Sequence, residues 1–275
     1  MYEYALDRNL SGPDLEFVAS NGTDLPPGRE ELQRLLIEDE TFRSSVLGSD
    51  VLFDRMMASD ESLALVSSRL FFEVLLRRAV KDLRNSGHTV ERTGGHRLPV
   101  FDTDSVVKLA ESPPVLHYLA GMLSSFTHVE SYTHRVFVRR GIVRRVRYSD
   151  LDIHSMLRLA QDTDEAQRLP VYKRIADLCL LVLGIFPDFA ATANRYPGTG
   201  ALRQRSAVRP RLNTEEYEAL AQEMYSLAAE HPSALEDQAE VFRTLGGRII
   251  EAKKPLNFVS EHYLGFKRQR LFDVG

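Results

Sequence analysis

Apolar positions along this chain recur mostly at three- and four-residue intervals, with one stretch where the interval drops to two. Leu32, Leu35, Leu36 and Ile37 carry a helix from about Gly28, and Leu52, Phe53 and Met56 a second, short one after Asp50. The strongest helical pattern runs from about Asp60 to Asn85. Ser59 or Asp60 is positioned to cap it, Arg77, Arg78, Lys81 and Arg84 sit near its C-terminal end, and Gly87 lies just beyond. Its apolar residues, from Leu63 through Leu70, Val74 and Leu76 to Leu83, cover more than one stripe, which marks a central helix with neighbours on several sides. Ser112 followed by Pro113 and Pro114 starts a helix through Leu116, Leu119 and Leu123. Val171 to Phe186 predicts another buried helix, closed by Pro187. Three further segments are expected: Thr214 to Glu230, about Ser233 to Arg248, and about Phe258 to Phe266.

Between Thr133 and Tyr148 the period is two, with β-branched Val136, Val138, Ile142, Val143 and Val146 and a glycine at 141. This predicts a β-hairpin over about 133–148, turning near Arg139 to Gly141. Ser149 with Asp152 three residues on resembles a capping box for the helix that follows. Residues 1–27 hold Gly12, Pro13, Gly22, Pro26 and Pro27 with little periodicity and read as a loosely ordered arm. Residues 190–212 read as a long loop of Gly, Pro and Arg. The segment containing Gly94-Gly95 and Pro99 reads as a connection.

The 275 residues, 43 % hydrophobic and 27 % charged, describe an ordinary globular protein with enough chain for a substantial core. The N-terminal ten residues include Glu3, Asp7 and Arg8 and no apolar run, so no secretory signal is read. The most apolar window, Ile175 to Pro187, contains Asp177 and falls short of the roughly 20 residues of a spanning helix, so no membrane association is read. The single cysteine, Cys179, lies in an apolar run and reads as a buried thiol in a reducing, cytoplasmic setting.

Charge changes the picture. Six arginines lie between His134 and Arg147 (Arg135, Arg139, Arg140, Arg144, Arg145, Arg147), and five between Ala190 and Arg211 (Arg195, Arg203, Arg205, Arg209, Arg211), with no acid in either stretch. Set against a net charge of −4, those eleven positive charges leave the rest of the chain at −15. Of the 35 basic residues 29 are arginine, whose planar fork suits carboxylate and phosphate. Arg135, Arg139, Arg145 and Arg147, joined by Arg203 and Arg205 of the loop, are therefore the candidate anion-binding residues. Alternation is expected to send Arg135 and Arg139 to one face with Phe137 between them and Arg145 and Arg147 beside them. Val136, Val138, Val146 and Tyr148 are left for the core side. The competing reading pairs these arginines with acids of neighbouring helices.

Other chemistry is thinly represented. His128, Glu130 and His134 lack zincin spacing; Asp102 and Asp104 near His88 and His96, and Asp150 with Asp152, have cheaper explanations as helix caps. No metal site and no cofactor is predicted. There is no nucleophile elbow and no phosphate-binding glycine loop. Glu73, flanked by Arg69 and Arg77 at four-residue spacing, and Asp177, behind Lys173 and Arg174, are acids inside apolar helices and read as helix-surface ion pairs.

The pattern predicts a mainly α protein: an arm over 1–27, then a single helical domain over 28–275 of about eight to ten helices with one small β-hairpin near the middle. The expected function is a non-catalytic interaction protein that binds an acidic or helical protein partner, a second copy of this chain included, through its arginines or an apolar helix face. The alternatives are nucleic-acid binding through the same arginines and an enzyme whose site is assembled from distant His, Asp and Glu residues.

Overall fold

A computed structural model of the chain describes residues 8–23, 25–26, 28–59, 64–93, 96–127, 131–139, 142–191, 212–265, 269 and 271–272. These residues are mainly helical and include two antiparallel hairpins. The chain separates into two compact units, one built from residues 1–87, 102–128 and 261–275, the other from 88–101 and 129–260. The helices over Ser68–Ser86 and Leu169–Ile185 fall in different units.

The first unit gathers α1 (Gly12–Asn21), α2 (Arg29–Glu38), α3 (Glu40–Leu47), α4 (Asp50–Met57), α5 (Ser68–Ser86), α6 (Thr103–Ala110) and α7 (Pro113–Ser125). Residues 12–21, expected within a loose arm, form a capped helix. Ser11 and Asp14 make a reciprocal capping box, Pro13 suits the first turn, and Leu15, Phe17 and Val18 are buried. Asp14 is itself buried and its Oδ1 also accepts the Ser67 N–H at 2.7 Å, which ties α1 to the start of α5. The central helix begins at Ser68 rather than near Asp60, because the Ser67 hydroxyl caps it by accepting the Leu70 N–H at 3.2 Å. It ends as expected at Gly87, whose φ of 69° is the left-handed conformation that glycine adopts without penalty. Its residues Leu70 to Leu83 bury apolar side chains against α4, α6 and α7. Phe272 stacks on Phe72 and Tyr263 meets Phe53 edge-on, so the C-terminal residues complete this core.

The second unit holds β1 (Thr89–Thr93) and β2 (His96–Val100), β3 (Ser131–Arg139) and β4 (Ile142–Ser149), α8 (Ile153–Asp162), α9 (Leu169–Ile185), α10 (Pro187–Ala191), α11 (Thr214–Glu230), α12 (Glu236–Gly247) and α13 (Ile249–Val259). The β1–β2 hairpin replaces an expected connection. Its register pairs Thr93 with His96, so the sequence between the strands is the two-residue Gly94-Gly95, a hairpin signal in its own right. The middle hairpin lies where alternation put it. The expected Ser149 cap is corrected: Asp152 is the N-cap of α8, accepting the His154 N–H at 3.1 Å. The helix expected over 233–248 gives way at Arg248 to a further helix, α13.

The buried helix α9 packs against α8, α11 and α13. Its Gly184 is needed for the approach to α13, since a Cβ there would stand 2.5 Å from the Leu256 Cβ. Gly184→Ala therefore overpacks the second unit and is expected to destabilise it by roughly 1–3 kcal/mol. At Gly247, in the last position of α12, a Cβ would meet nothing within 4 Å. Gly247→Ala is expected to leave stability unchanged or raise it by up to about 1 kcal/mol. Chemical denaturation of the two variants side by side checks both signs.

Candidate functional site

The β3–β4 ribbon carries the candidate arginines on an antiparallel ladder. Tyr148 is buried, and its hydroxyl donates to the Asp162 carboxylate at the end of α8, so this residue marks the packed face. Burial pushes the phenol up to about 12, and the bond to Asp162 adds to the shift. Strand positions two apart share a face, so Val146 and Arg144 are positions of the Tyr148 face, as are Tyr132, His134 and Val136, the register partners of Tyr148, Val146 and Arg144. The opposite face holds Thr133, Arg135 and Phe137 across from Arg147, Arg145 and Val143. Arg135 and Arg145 are direct register partners.

One residue departs from the expected alternation. Phe137 pairs with Val143 but Arg139 pairs with Ile142, so Val138 is an extra residue in β3. This bulge puts Arg139 on the Tyr148 face, away from Arg135. By backbone register, Arg135, Arg145 and Arg147 are positions of one face and Arg139 is a position of the other. Arg203 and Arg205 lie outside the described residues, as do His128 and Glu130.

The two acids singled out inside apolar helices turn out to be fully buried rather than on helix surfaces. Asp177 on α9 accepts Lys173 Nζ at 2.5 Å, the four-residue pair read from the sequence. It also accepts the hydroxyl of Tyr225, from α11, at 2.9 Å. Arg174 turns instead to the buried Asp150. Asp150 is thus the partner of a buried guanidinium, and among the described residues no group of three or more His, Cys, Asp or Glu side chains could hold a metal ion.

Glu73 on α5 sits in a larger network within the first unit. Arg43 of α3 grips it with two bonds, Nε to Oε1 at 2.7 Å and Nη2 to Oε2 at 2.6 Å. The same guanidinium donates through Nη1 to the carbonyls of Arg8 and Leu36, both at 2.8 Å. Arg77, one turn along α5, donates to Glu73 and, at 2.8 Å, to Glu40 of α3. Arg69, the other arginine at four-residue spacing, does not join this pair; its Nη2 lies 3.5 Å from the His117 carbonyl oxygen. The sequence signal that was missed is Arg43, thirty residues upstream of its partner.

The buried imidazole of His117, from α7, completes the network. Its Nε2 lies 2.9 Å from Glu40 Oε2 and donates to it, because an ionised carboxylate only accepts. Burial pushes this imidazole below its usual 6.5 despite the bond to Glu40. Nδ1 makes no hydrogen bond among the described residues and lies 3.7 Å from Glu73 Oε1. Burial acts to raise Glu40, but hydrogen bonds from His117 and Arg77 together outweigh it and hold the carboxyl at about 2. Burial likewise opposes ionisation of Glu73, and its arginines overcome that too and hold it well below the ordinary carboxylate range.

These groups act together on stability. Each carboxylate binds protons less readily folded than unfolded, so its contribution is complete above its ordinary 4.5 and is lost as pH falls towards its folded value. His117 adds the same sign from 6.5 downwards, since the unfolded chain takes up its proton first. Glu40→Gln is expected to cost about 1–3 kcal/mol at pH 7, discounted for its partial exposure. That gap should close as pH falls from 4.5 to 2; a gap independent of pH in denaturant titrations contradicts the assignment. Glu73→Ala leaves Arg43 buried without its carboxylate and is expected to cost about 3–5 kcal/mol in the same measurement. No family model, no curated protein and no solved structure matches this chain, so its residues alone carry the functional reading.

Proposed function

We propose that this chain is a non-catalytic interaction module that grips a carboxylate-bearing protein partner with the Arg135, Arg145 and Arg147 face of its β3–β4 ribbon. One observation carries the reading: Arg135 and Arg145 are direct cross-strand partners, with Arg147 two positions along the same face. Like charges placed opposite one another weaken a ladder, and an anion set against both removes that penalty. Three guanidinium forks with Phe137 on the same face suit planar carboxylates beside an apolar side chain.

Charge favours an acidic protein over nucleic acid. A nine-residue strand spans roughly 30 Å, whereas a duplex continues its charge at one per roughly 1.7 Å well past that length. Outside its two arginine stretches this chain sums to −15, which repels a long polyanion and tolerates a short acidic segment.

The test is a titration of the full chain against a labelled glutamate-rich peptide and, separately, labelled duplex DNA, at about 50 and 200 mM salt. Saturable peptide binding is expected, weakened at least about tenfold by Arg145→Ala with Arg147→Ala, at unchanged thermal stability. Loss of folding in that variant assigns the arginines to internal pairing. Tighter binding of duplex, with a log–log salt slope near −0.9 per phosphate, would replace the protein partner with nucleic acid.

A further inference from the structure

A second cluster of cations lies within the first unit. A cleft of ≈ 330 Å³ opens beside α5, at the end of α3 and the α6–α7 corner. Arg77, Lys81 and Arg84 line it from successive turns of α5, with Ser44 of α3 also in the lining and Val80 and Leu116 as apolar walls. Residues at these spacings share one helix face, so the row sets three like charges side by side.

Arg77 makes this more than a row of surface cations. Its side chain is 6 % exposed. Nε and Nη2 are committed to Glu73 and Glu40, which fixes the plane of the guanidinium. The remaining nitrogen, Nη1, has no partner among the described residues. The network behind it sets the three guanidinium groups of Arg8, Arg43 and Arg77 against the two carboxylates of Glu40 and Glu73, so it carries at least one positive charge in excess.

The outer cations are held loosely. Lys81 meets Asp50 at 2.6 Å, and Arg84 pairs with Glu111, itself a lining residue. Both pairs are exposed, so exchanging either carboxylate for a ligand oxygen costs little.

We propose that this cleft binds a small molecule through a phosphate group. Three cations spread over two helical turns ask for oxygens pointing in several directions. A tetrahedral phosphate offers three terminal oxygens, a planar carboxylate two. The cleft is larger than one oxyanion, and the rest of the ligand lies against Val80 and Leu116.

The test is isothermal titration of the full chain with inorganic phosphate and pyrophosphate, and with succinate, at fixed ionic strength. Saturable phosphate or pyrophosphate binding is expected, weakened at least about tenfold by Lys81→Gln with Arg84→Gln. The ribbon variant Arg145→Ala with Arg147→Ala should leave it unchanged, which separates this site from the one proposed above. Since Lys81 and Arg84 make only exposed pairs, folding of the double variant is checked by its unchanged thermal transition. No saturable binding, binding indifferent to the α5 pair, or a preference for succinate would overturn the proposal.

Discussion

The first unit depends on one carboxylate. Glu73 is fully buried in the central helix, where an isolated charge would be forbidden, and it stays ionised because two guanidinium groups converge on it. Arg43 then spends its remaining donors on the carbonyls of residues 8 and 36, while Arg77 passes the connection on to Glu40 and hence to His117. One buried charge thus specifies the positions of α2, α3, α5 and α7 as well as the residues before α1. Apolar packing supplies the bulk of the stabilisation, but it is non-directional; the network adds angles and distances that only one arrangement satisfies.

The two proposed anion sites make opposite use of the same chemistry. In the ribbon, arginines oppose one another across a ladder whose other face is anchored by Tyr148. In the cleft, a guanidinium is locked by its own carboxylates and keeps one nitrogen to spare. The second arrangement is the more preorganised, because its donor is oriented before any ligand arrives. It also couples the cleft to the stability of the unit, since the group that would hold a phosphate is the group that holds Glu73.

How much of this was legible depended on range. The limits of α11 follow from local chemistry: Asn213 and Glu216 cap its start reciprocally, as their spacing demands. Alternation located the β3–β4 ribbon for the same reason, since period two is a property of the strand itself. The bulge at Val138 was not legible, because adding one residue leaves the alternation of types intact while exchanging the faces beyond it. At Glu73, spacing revealed Arg77 and wrongly ranked Arg69 beside it. The decisive partner, Arg43, comes from another helix, and no periodicity connects residues thirty apart. The division into two units was hidden likewise, because each reads as the same succession of amphipathic helices.

The first unit is interrupted in the chain, and the interruption has a consequence for synthesis. Its central helix emerges from the ribosome early, yet Asp82 waits for the Tyr263 hydroxyl, 181 residues later, and Phe72 for the ring of Phe272. At roughly 5–20 residues per second, that wait is roughly ten to forty seconds. Throughout it, Phe72 lacks the ring that stacks on it in the finished core. The second unit ends at residue 260 and has all its residues before the first has its last. The unit whose residues begin to appear first is therefore the one completed last.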